Sequence, residues 1–277
     1  MPELPEVETM RRGILGILGQ TIQTASLEPC TCRPILIAPA IKPFQRRVRG
    51  QVILAVERLG KRVLIRLSSR DVMVFEPRMT GLVLVADPPD REHLRFRLDL
   101  AGGPIPKVWY WDRRGLGSVR LFTEAELKTA FGTKLGPDAL AITAEQLRSA
   151  LADSRRAIKV ALLDQHILAG VGNLYAAEIL HRARVHPEQA CEHLTKRQWL
   201  AIHAQLGEVL NAAIRHEGST LSDGTYRNAL NQSGGYQNCH LVYDREHETC
   251  RSCARGTIVR IVQAQRATFY CPRCQRK

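Results

Sequence analysis

Two groups of residues in this chain have types and spacings that could carry chemistry. At the start, MPELPEVE would expose the secondary amine of Pro2 beside the carboxyl group of Glu3 once Met1 is removed. An α-amine has a pKa of about 7.7–8.0 against about 10.4 for lysine, so its free-base fraction at neutral pH is over a hundredfold larger. A secondary amine attacking a sugar C1′ yields an iminium ion directly, an electron sink that acidifies the C2′ proton and opens the way to elimination. Pro2 and Pro5 also suit the start of a helix with no chemical role; the residues alone leave both readings open.

At the other end, Cys250, Cys253, Cys271 and Cys274 form C-x2-C-x17-C-x2-C within the last 28 of 277 residues. Two residues between cysteines let both sulfurs of a knuckle reach one ion, and the 17-residue excursion accommodates a two-stranded hairpin, so the pattern predicts one structural Zn2+. Two disulfides would need an oxidising compartment that nothing in the sequence suggests. Cys30, Cys32, Cys191 and Cys239 show no ligand spacing and read as ordinary thiols.

These groups need elements to position them. A helix is predicted from Pro5 or Glu6 to Leu18, with Val7, Met10, Ile14 and Leu18 on one face and Gly19 as its stop. Strand-like runs follow at Thr21 to Leu27, Gln51 to Leu59, Arg62 to Leu67, Val72 to Val85, Leu94 to Leu100 and Val108 to Trp111, with Gly60-Lys61 as a hairpin corner. Successive strands without long intervening helices predict an antiparallel sandwich or barrel. Beyond residue 130 the pattern is helical. Thr143-x-x-Gln146 and Thr195-x-x-Gln198 are capping boxes, and the second helix carries Trp199, Ile202, Leu206, Val209 and Ala213 on one stripe. Ile158 to Gln165 and Leu174 to Arg182 are two further helices separated by the turn around Ala169-Gly170-Val171-Gly172-Asn173. The polar stretch 219–243 is long for a structureless loop and is expected to be functional or disordered.

The expected class is α+β, with a domain at 1–130, a helical domain at 131–243 and a finger at 244–277. At 44% hydrophobic and 24% charged, the chain can bury real cores. No apolar run is long enough to span a membrane and no secretory leader is visible, which predicts a cytoplasmic protein. The net charge of +13 and pI near 9.7 favour a polyanionic partner, nucleic acid before membrane. The last 33 residues alone carry +6, so a basic zinc hairpin is a natural reader of phosphates.

PELPEVE, Lys61, Met79-Thr80-Gly81, Asp112-Arg113-Arg114, GVGNLYAAE and QRATFYCPRC, in this order, resemble the bacterial formamidopyrimidine-DNA glycosylase family over essentially the full chain. The resemblance implies an N-terminal antiparallel β-sandwich with its opening helix, a helix–two-turns–helix domain and a β-hairpin zinc finger, with duplex DNA between the two main domains. It implies a catalytic set of Pro2 as nucleophile, Glu3 as general acid/base, Lys61 near the lesion phosphate and Arg266 gripping the same strand. It places Met79, Arg114, Leu116, Lys159, Asn173 and Tyr236 at the DNA. Of these, Met79, Arg114 and Leu116 fill the gap left by an everted nucleotide, and Asn173 binds backbone phosphate at a helix N-terminus.

The implied reaction is excision of oxidised purines, with strand cleavage at abasic sites, by a monomer using one zinc and no organic cofactor. Two departures from the family pattern stand out. Leu116 replaces a common phenylalanine, and Glu76-Pro77-Arg78 replaces His-Leu-Gly, putting a carboxylate near DNA. Stretch 219–243 corresponds to the loop that closes over the extruded base. The rival readings are the sister endonuclease VIII branch, which acts on oxidised pyrimidines, and a non-catalytic zinc-finger protein that binds damaged DNA.

Overall fold

A computed structural model describes residues 2–277. They form two compact units: the chain up to Thr133 with Ile214–Gln237, and Lys134–Ala213 with Asn238–Lys277. No helix among the described residues is long and apolar enough to cross a membrane.

The first unit opens with α1 (Leu4–Gly13), whose Leu4, Val7 and Met10 are fully buried; Ile14 and Ile17 extend that face through a following 3-10 turn. Each such side chain contributes roughly 1.5–3 kcal/mol on burial. The helix is shorter than its periodicity predicts. Gly13 sits so close to the 214–237 segment that an added Cβ would lie 2.4 Å from that of Ala229, and glycine is a poor helix interior residue. Leu18, expected on the buried face, is 44% exposed, and Ile17 takes its place.

Next come β1 (Thr21–Leu27), β2 (Leu36–Ala38), α2 (Ile41–Val48), β3 (Ile53–Leu59), β4 (Arg62–Leu67), β5 (Val72–Glu76), β6 (Gly81–Leu84), β7 (Leu94–Ala101), β8 (Lys107–Asp112), β9 (Ser118–Phe122) and α3 (Glu124–Phe131). One sheet runs β1-β7-β8-β6 and the other β2-β9-β5-β4-β3. Their inner faces share one core, in which Phe96 meets the edges of Phe44 and Phe75 at 5.5 and 6.2 Å. All pairings are antiparallel except the short parallel pair β2–β9.

The predicted run Val72 to Val85 is two strands on different sheets, broken where Pro77 lacks a ladder donor and Arg78 turns left-handed at φ 54°. Sequence periodicity missed β2, α2, β9 and α3. The first is three partly exposed residues, and α2 buries only Phe44 and Val48. α3 carried a readable signal, the Thr123–Glu126 capping box.

The polar 219–243 stretch is neither one loop nor part of the helical unit throughout. Up to Gln237 it belongs to the first unit, where Tyr226 and Ala229 enter the sandwich core and Val85 N–H donates to Ala229 O at 2.9 Å. Its side chains replace a ladder: Asn228 Oδ1 accepts from Leu230 N (3.0 Å) and Gln232 N (2.9 Å), and Asn228 Nδ2 donates to Glu217 at 2.7 Å. The boundary expected at 243 therefore does not coincide with the change of unit.

In the second unit, both capping boxes form ahead of α4 (Ala144–Leu151) and α7 (Lys196–Arg215), and the α7 stripe from Trp199 to Ala213 is buried as expected. Between them lie α5 (Ile158–Leu162) and α6 (Asn173–Arg182). α5 stops short of Gln165 because that side chain closes the turn instead, donating to Val171 O (2.8 Å) and accepting from Gly170 N (2.9 Å). The chain ends in the hairpin β10 (Val259–Gln263) and β11 (Arg266–Tyr270). Ile258, Phe269, Cys250 and Cys271 share a core with Ala177 of α6 and Val242, so the finger at 244–277 is packed into this unit rather than separate from it.

Candidate active site and nucleic-acid interface

Pro2 and Glu3 are buried at the head of α1, Glu3 being only 3% exposed at the N-cap. Glu6, one turn on, accepts from Glu3 N–H at 2.9 Å with one oxygen and from Ser219 N–H at 2.9 Å with the other. This carboxylate thus ties the helix start to the 219 segment, and Gly218, at φ +80°, passes so close that a Cβ would lie 2.9 Å from Glu6 Oε1. Lower on α1, Glu8 gathers Arg11 and Arg12 at 2.8 Å and Arg58 at 3.3 Å. Burial opposes the charged form of Glu8, but the arginine hydrogen bonds outweigh it and hold the carboxyl below its ordinary range.

Arg58 also donates to Gly60 O at 3.1 Å, fixing the hairpin corner predicted between β3 and β4. Gly60 takes φ 57° there, the conformation a two-residue hairpin turn requires, and Lys61 follows it half-buried.

The three expected void-filling residues stand on two loops joined by one buried carboxylate. Asp112, fully buried, accepts from the Thr80 hydroxyl, from Arg114 N at 3.2 Å and from Gly117 N at 2.8 Å; Arg114 N also reaches Thr80 Oγ1 at 3.0 Å. Arg95 Nε in turn donates to the Asp112 carbonyl at 2.9 Å. Met79 (38% exposed) precedes Thr80, while exposed Arg114 and half-buried Leu116 flank Gly115, so one anchor sets all three. Thr80, Arg95 and Asp112 hold these loops in place and were not singled out by residue-type reasoning, although Thr80 and Asp112 lie inside the motifs quoted above.

Glu76 is not an isolated carboxylate. It pairs with Arg62 (2.7 Å), Arg120 (3.2 Å) and Arg78 (3.6 Å), and the first two guanidinium groups also cover the Phe131 ring. Three arginines therefore surround the carboxylate and offset its charge locally. Tyr236 is 1% exposed and its ring lies 6.2 Å from that of His216, while its N–H bonds to Gly218 O at 2.9 Å. Its side chain holds the 214–237 segment and is not displayed on the surface.

In the second unit, Asn173 begins α6 and its side chain is engaged internally: Nδ2 donates to Ala267 O at 2.9 Å and Oδ1 accepts from Lys159 Nζ at 2.6 Å. Lys159 is fully buried and donates also to Thr268 Oγ1 at 2.7 Å. These two expected DNA contacts therefore brace the α6 N-terminus against β11. Arg266, by contrast, stands exposed directly after the left-handed Ala264–Gln265 turn.

The four finger sulfurs all lie within 4.8 Å of one another, with Cys250–Cys274 at 3.8 Å and Cys253–Cys271 at 3.9 Å. A disulfide needs about 2.05 Å, whereas sulfurs tetrahedrally bound at about 2.3 Å to zinc stand about 3.8 Å apart. The donor set fits Zn2+. Backbone N–H groups of Arg255 and Gly256 point at Cys253 and draw its thiol down to about 6, toward the thiolate that metal binding needs. Glu178 of α6, fully buried, fastens the approach to the finger by accepting from Leu241, Val242 and Tyr243 N–H at 2.9 Å each.

Comparison with known proteins agrees with this geometry along the whole chain. Residues 1–119 match the model of the formamidopyrimidine-DNA glycosylase N-terminal domain, 135–225 that of the formamidopyrimidine-DNA glycosylase H2TH domain, and 247–276 the zinc finger found in FPG and IleRS. The formamidopyrimidine-DNA glycosylase of Chloroflexus aurantiacus is 39% identical, covering 99% of this chain and 98% of its own; that of Bacillus subtilis is 36% identical, covering 100% of both. Among solved structures, MutM (FPG) from Thermus thermophilus aligns with a TM-score of 0.85 at 35% identity over 99% of this chain and 98% of its own. Lactococcus lactis Fpg bound to abasic-site DNA aligns with a TM-score of 0.87 at 30% identity over 99% of this chain and 100% of its own. On the matched domains, the full-length identity and the shared fold, this chain belongs to the formamidopyrimidine-DNA glycosylase family.

Proposed function

We propose that this protein is a bifunctional DNA glycosylase and AP lyase that removes oxidised purines, 8-oxoguanine and formamidopyrimidines, from duplex DNA. The observation that carries the reading is the Pro2-Glu3 pair, an amine-bearing residue and a carboxyl group held together at the buried head of α1. Once Met1 is removed, the Pro2 nitrogen bonds to C1′ as the bond from C1′ to the base breaks. Glu3 supplies a proton to the sugar oxygen as the ring opens, and the iminium ion then drains electrons from C2′. Loss of a C2′ proton expels the 3′ phosphate (β-elimination), a second elimination expels the 5′ phosphate (δ), and hydrolysis frees the proline. Met79, Arg114 and Leu116, aligned by Asp112, would occupy the gap left in the stack. Lys61 and Arg266 would bind phosphates near the lesion, with the finger zinc purely structural.

Solved complexes of Lactococcus lactis Fpg with Fapy-dG and abasic-site DNA support the substrate assignment by relationship. The same relationship to bacterial repair proteins supports a cytoplasmic location. A panel of duplexes, each with one lesion, tests the substrate. Excision of 8-oxoguanine and formamidopyrimidine with nicking at abasic sites is expected; activity confined to thymine glycol would assign the pyrimidine branch instead.

The grip on DNA separates into two roles. Arg266→Ala should reduce the log–log salt slope of binding to an abasic-site duplex by roughly 0.9, the value for one neutralised phosphate, and leave Tm unchanged. Asn173→Ala should lower Tm as well as affinity, because it removes one acceptor from the buried Lys159 ammonium and leaves Ala267 O without its donor, a loss of about 1–3 kcal/mol. Binding titrations over a salt series and thermal melts of both variants decide it; equal Tm values would remove Asn173 from this bracing role.

A further inference from the structure

Outside the finger, one other group of metal-ligand side chains converges among the described residues: Cys32, Glu92 and His93, whose ligand atoms lie within 4.8 Å of one another. We propose that these three residues form a second zinc site on the first unit, with the remaining coordination position open to water. The ligands come from two segments, the β1–β2 connection and the loop ahead of β7, which meet where Glu28 N–H donates to Arg95 O at 3.2 Å. Cys32 Sγ lies 3.8 Å from Glu92 Oε1, a spacing that a shared ion can bridge with one donor from each residue.

The surroundings of His93 independently point to a metal. Its Nδ1 lies 2.9 Å from Asp90 Oδ1, and Asp90 also accepts from His93 N–H (2.9 Å) and Trp111 Nε1 (3.1 Å). A carboxylate held in this way fixes the tautomer with the proton on Nδ1, leaving the Nε2 lone pair as the donor. This carboxylate–histidine pairing typically orients imidazole on zinc. Trp111 packs edge-on to the ring at 5.6 Å and limits its rotation.

Thiolate, imidazole and carboxylate together suit Zn2+ over Mg2+ or Ca2+, which prefer oxygen alone. One thiolate and one carboxylate also bring a divalent ion to zero net charge. Cys30 lies at the edge of the site: its sulfur donates to Glu92 O at 2.9 Å, accepts from Cys32 N–H at 3.2 Å and, like the Cys32 thiol, meets the Arg95 guanidinium. Arg95 in turn donates to the Asp112 carbonyl, so the site adjoins the anchor of the Arg114 loop, whose Gly115 lies directly against Arg33 O.

The test is zinc stoichiometry of the reduced full-length protein, titrated with Zn2+ alone. The wild type should bind two ions, the second more weakly than the first. Cys32→Ala and Glu92→Gln should each lose that second ion and keep the first, which reports an intact finger. Cys30→Ala should retain both. Glu92 is exposed, so its amide variant keeps the fold even where a cysteine change disturbs packing. A wild type that saturates at one zinc, or a second zinc that survives both Cys32→Ala and Glu92→Gln, overturns the proposal.

Discussion

Protein bearing one additional residue ahead of Pro2 should lose borohydride-trapped adduct with abasic-site DNA by more than about a hundredfold while binding that DNA normally. The extra residue converts the proline nitrogen to an amide, which cannot form an iminium ion. The remaining amines are lysines whose free-base fraction at neutral pH is over a hundredfold smaller. Phosphate contacts such as Arg266 lie far along the chain and are untouched. Pro2→Gly should fall between the two, because it retains a primary α-amine. For unmodified protein, trapping should rise with pH through the α-amine range near 7.7–8.0, since only the unprotonated amine attacks. Wild-type adduct yield from the blocked protein would transfer the nucleophile to another residue and leave the Pro2-Glu3 pair a helix start.

The second large effect belongs to the finger. Cys271→Ser should release one zinc per chain, lower Tm and weaken DNA binding together. Structural zinc contributes roughly 10–16 kcal/mol in isolated fingers. Here Cys271 is fully buried in a core shared with Phe269, Ile258 and Ala177 of α6, so metal loss loosens the second unit as well as the hairpin. Lys159 and Asn173 bond to Thr268 and Ala267 on the same strand, so the α6 N-terminus loses its brace in the same event. Metal analysis, melting curves and binding titrations on one preparation check the linkage. Unchanged Tm with zinc lost would mean that the hairpin stands without metal.

How much of this was legible beforehand depended on the range of the interactions involved. The Gly60-Lys61 corner, the capping boxes at Thr143 and Thr195 and the α7 stripe rest on neighbours three or four residues away, and they appear where local patterns place them. The zinc tetrad was equally legible, because two close pairs fix much of its geometry through the chain itself. Local pattern failed where a distant contact overrode it: α1 ends at Gly13 because Ala229 arrives there, and polar Ser219 to Gln237 folds because Glu6 and the sandwich core receive it.

By itself, the sequence determined the inventory of chemistry: a Pro2 nitrogen that becomes a free amine beside Glu3 once Met1 is removed, four thiols spaced for one ion, a basic C-terminus and the order of motifs that marks the family. Tertiary structure decided which groups face outward and which serve as supports. Asn173 and Lys159 turn out to be spent on each other and on β11, Tyr236 is buried, Glu76 is ringed by arginines, and Asp112 aligns two loops more than thirty residues apart in the chain. Cys32 meets Glu92 and His93 only through the same long-range pairing. The reason is physical: spacing along a chain fixes what a helix turn, hairpin or knuckle can bring together. Burial and the pairing of distant polar groups are settled only when the sheets and helices close on one another.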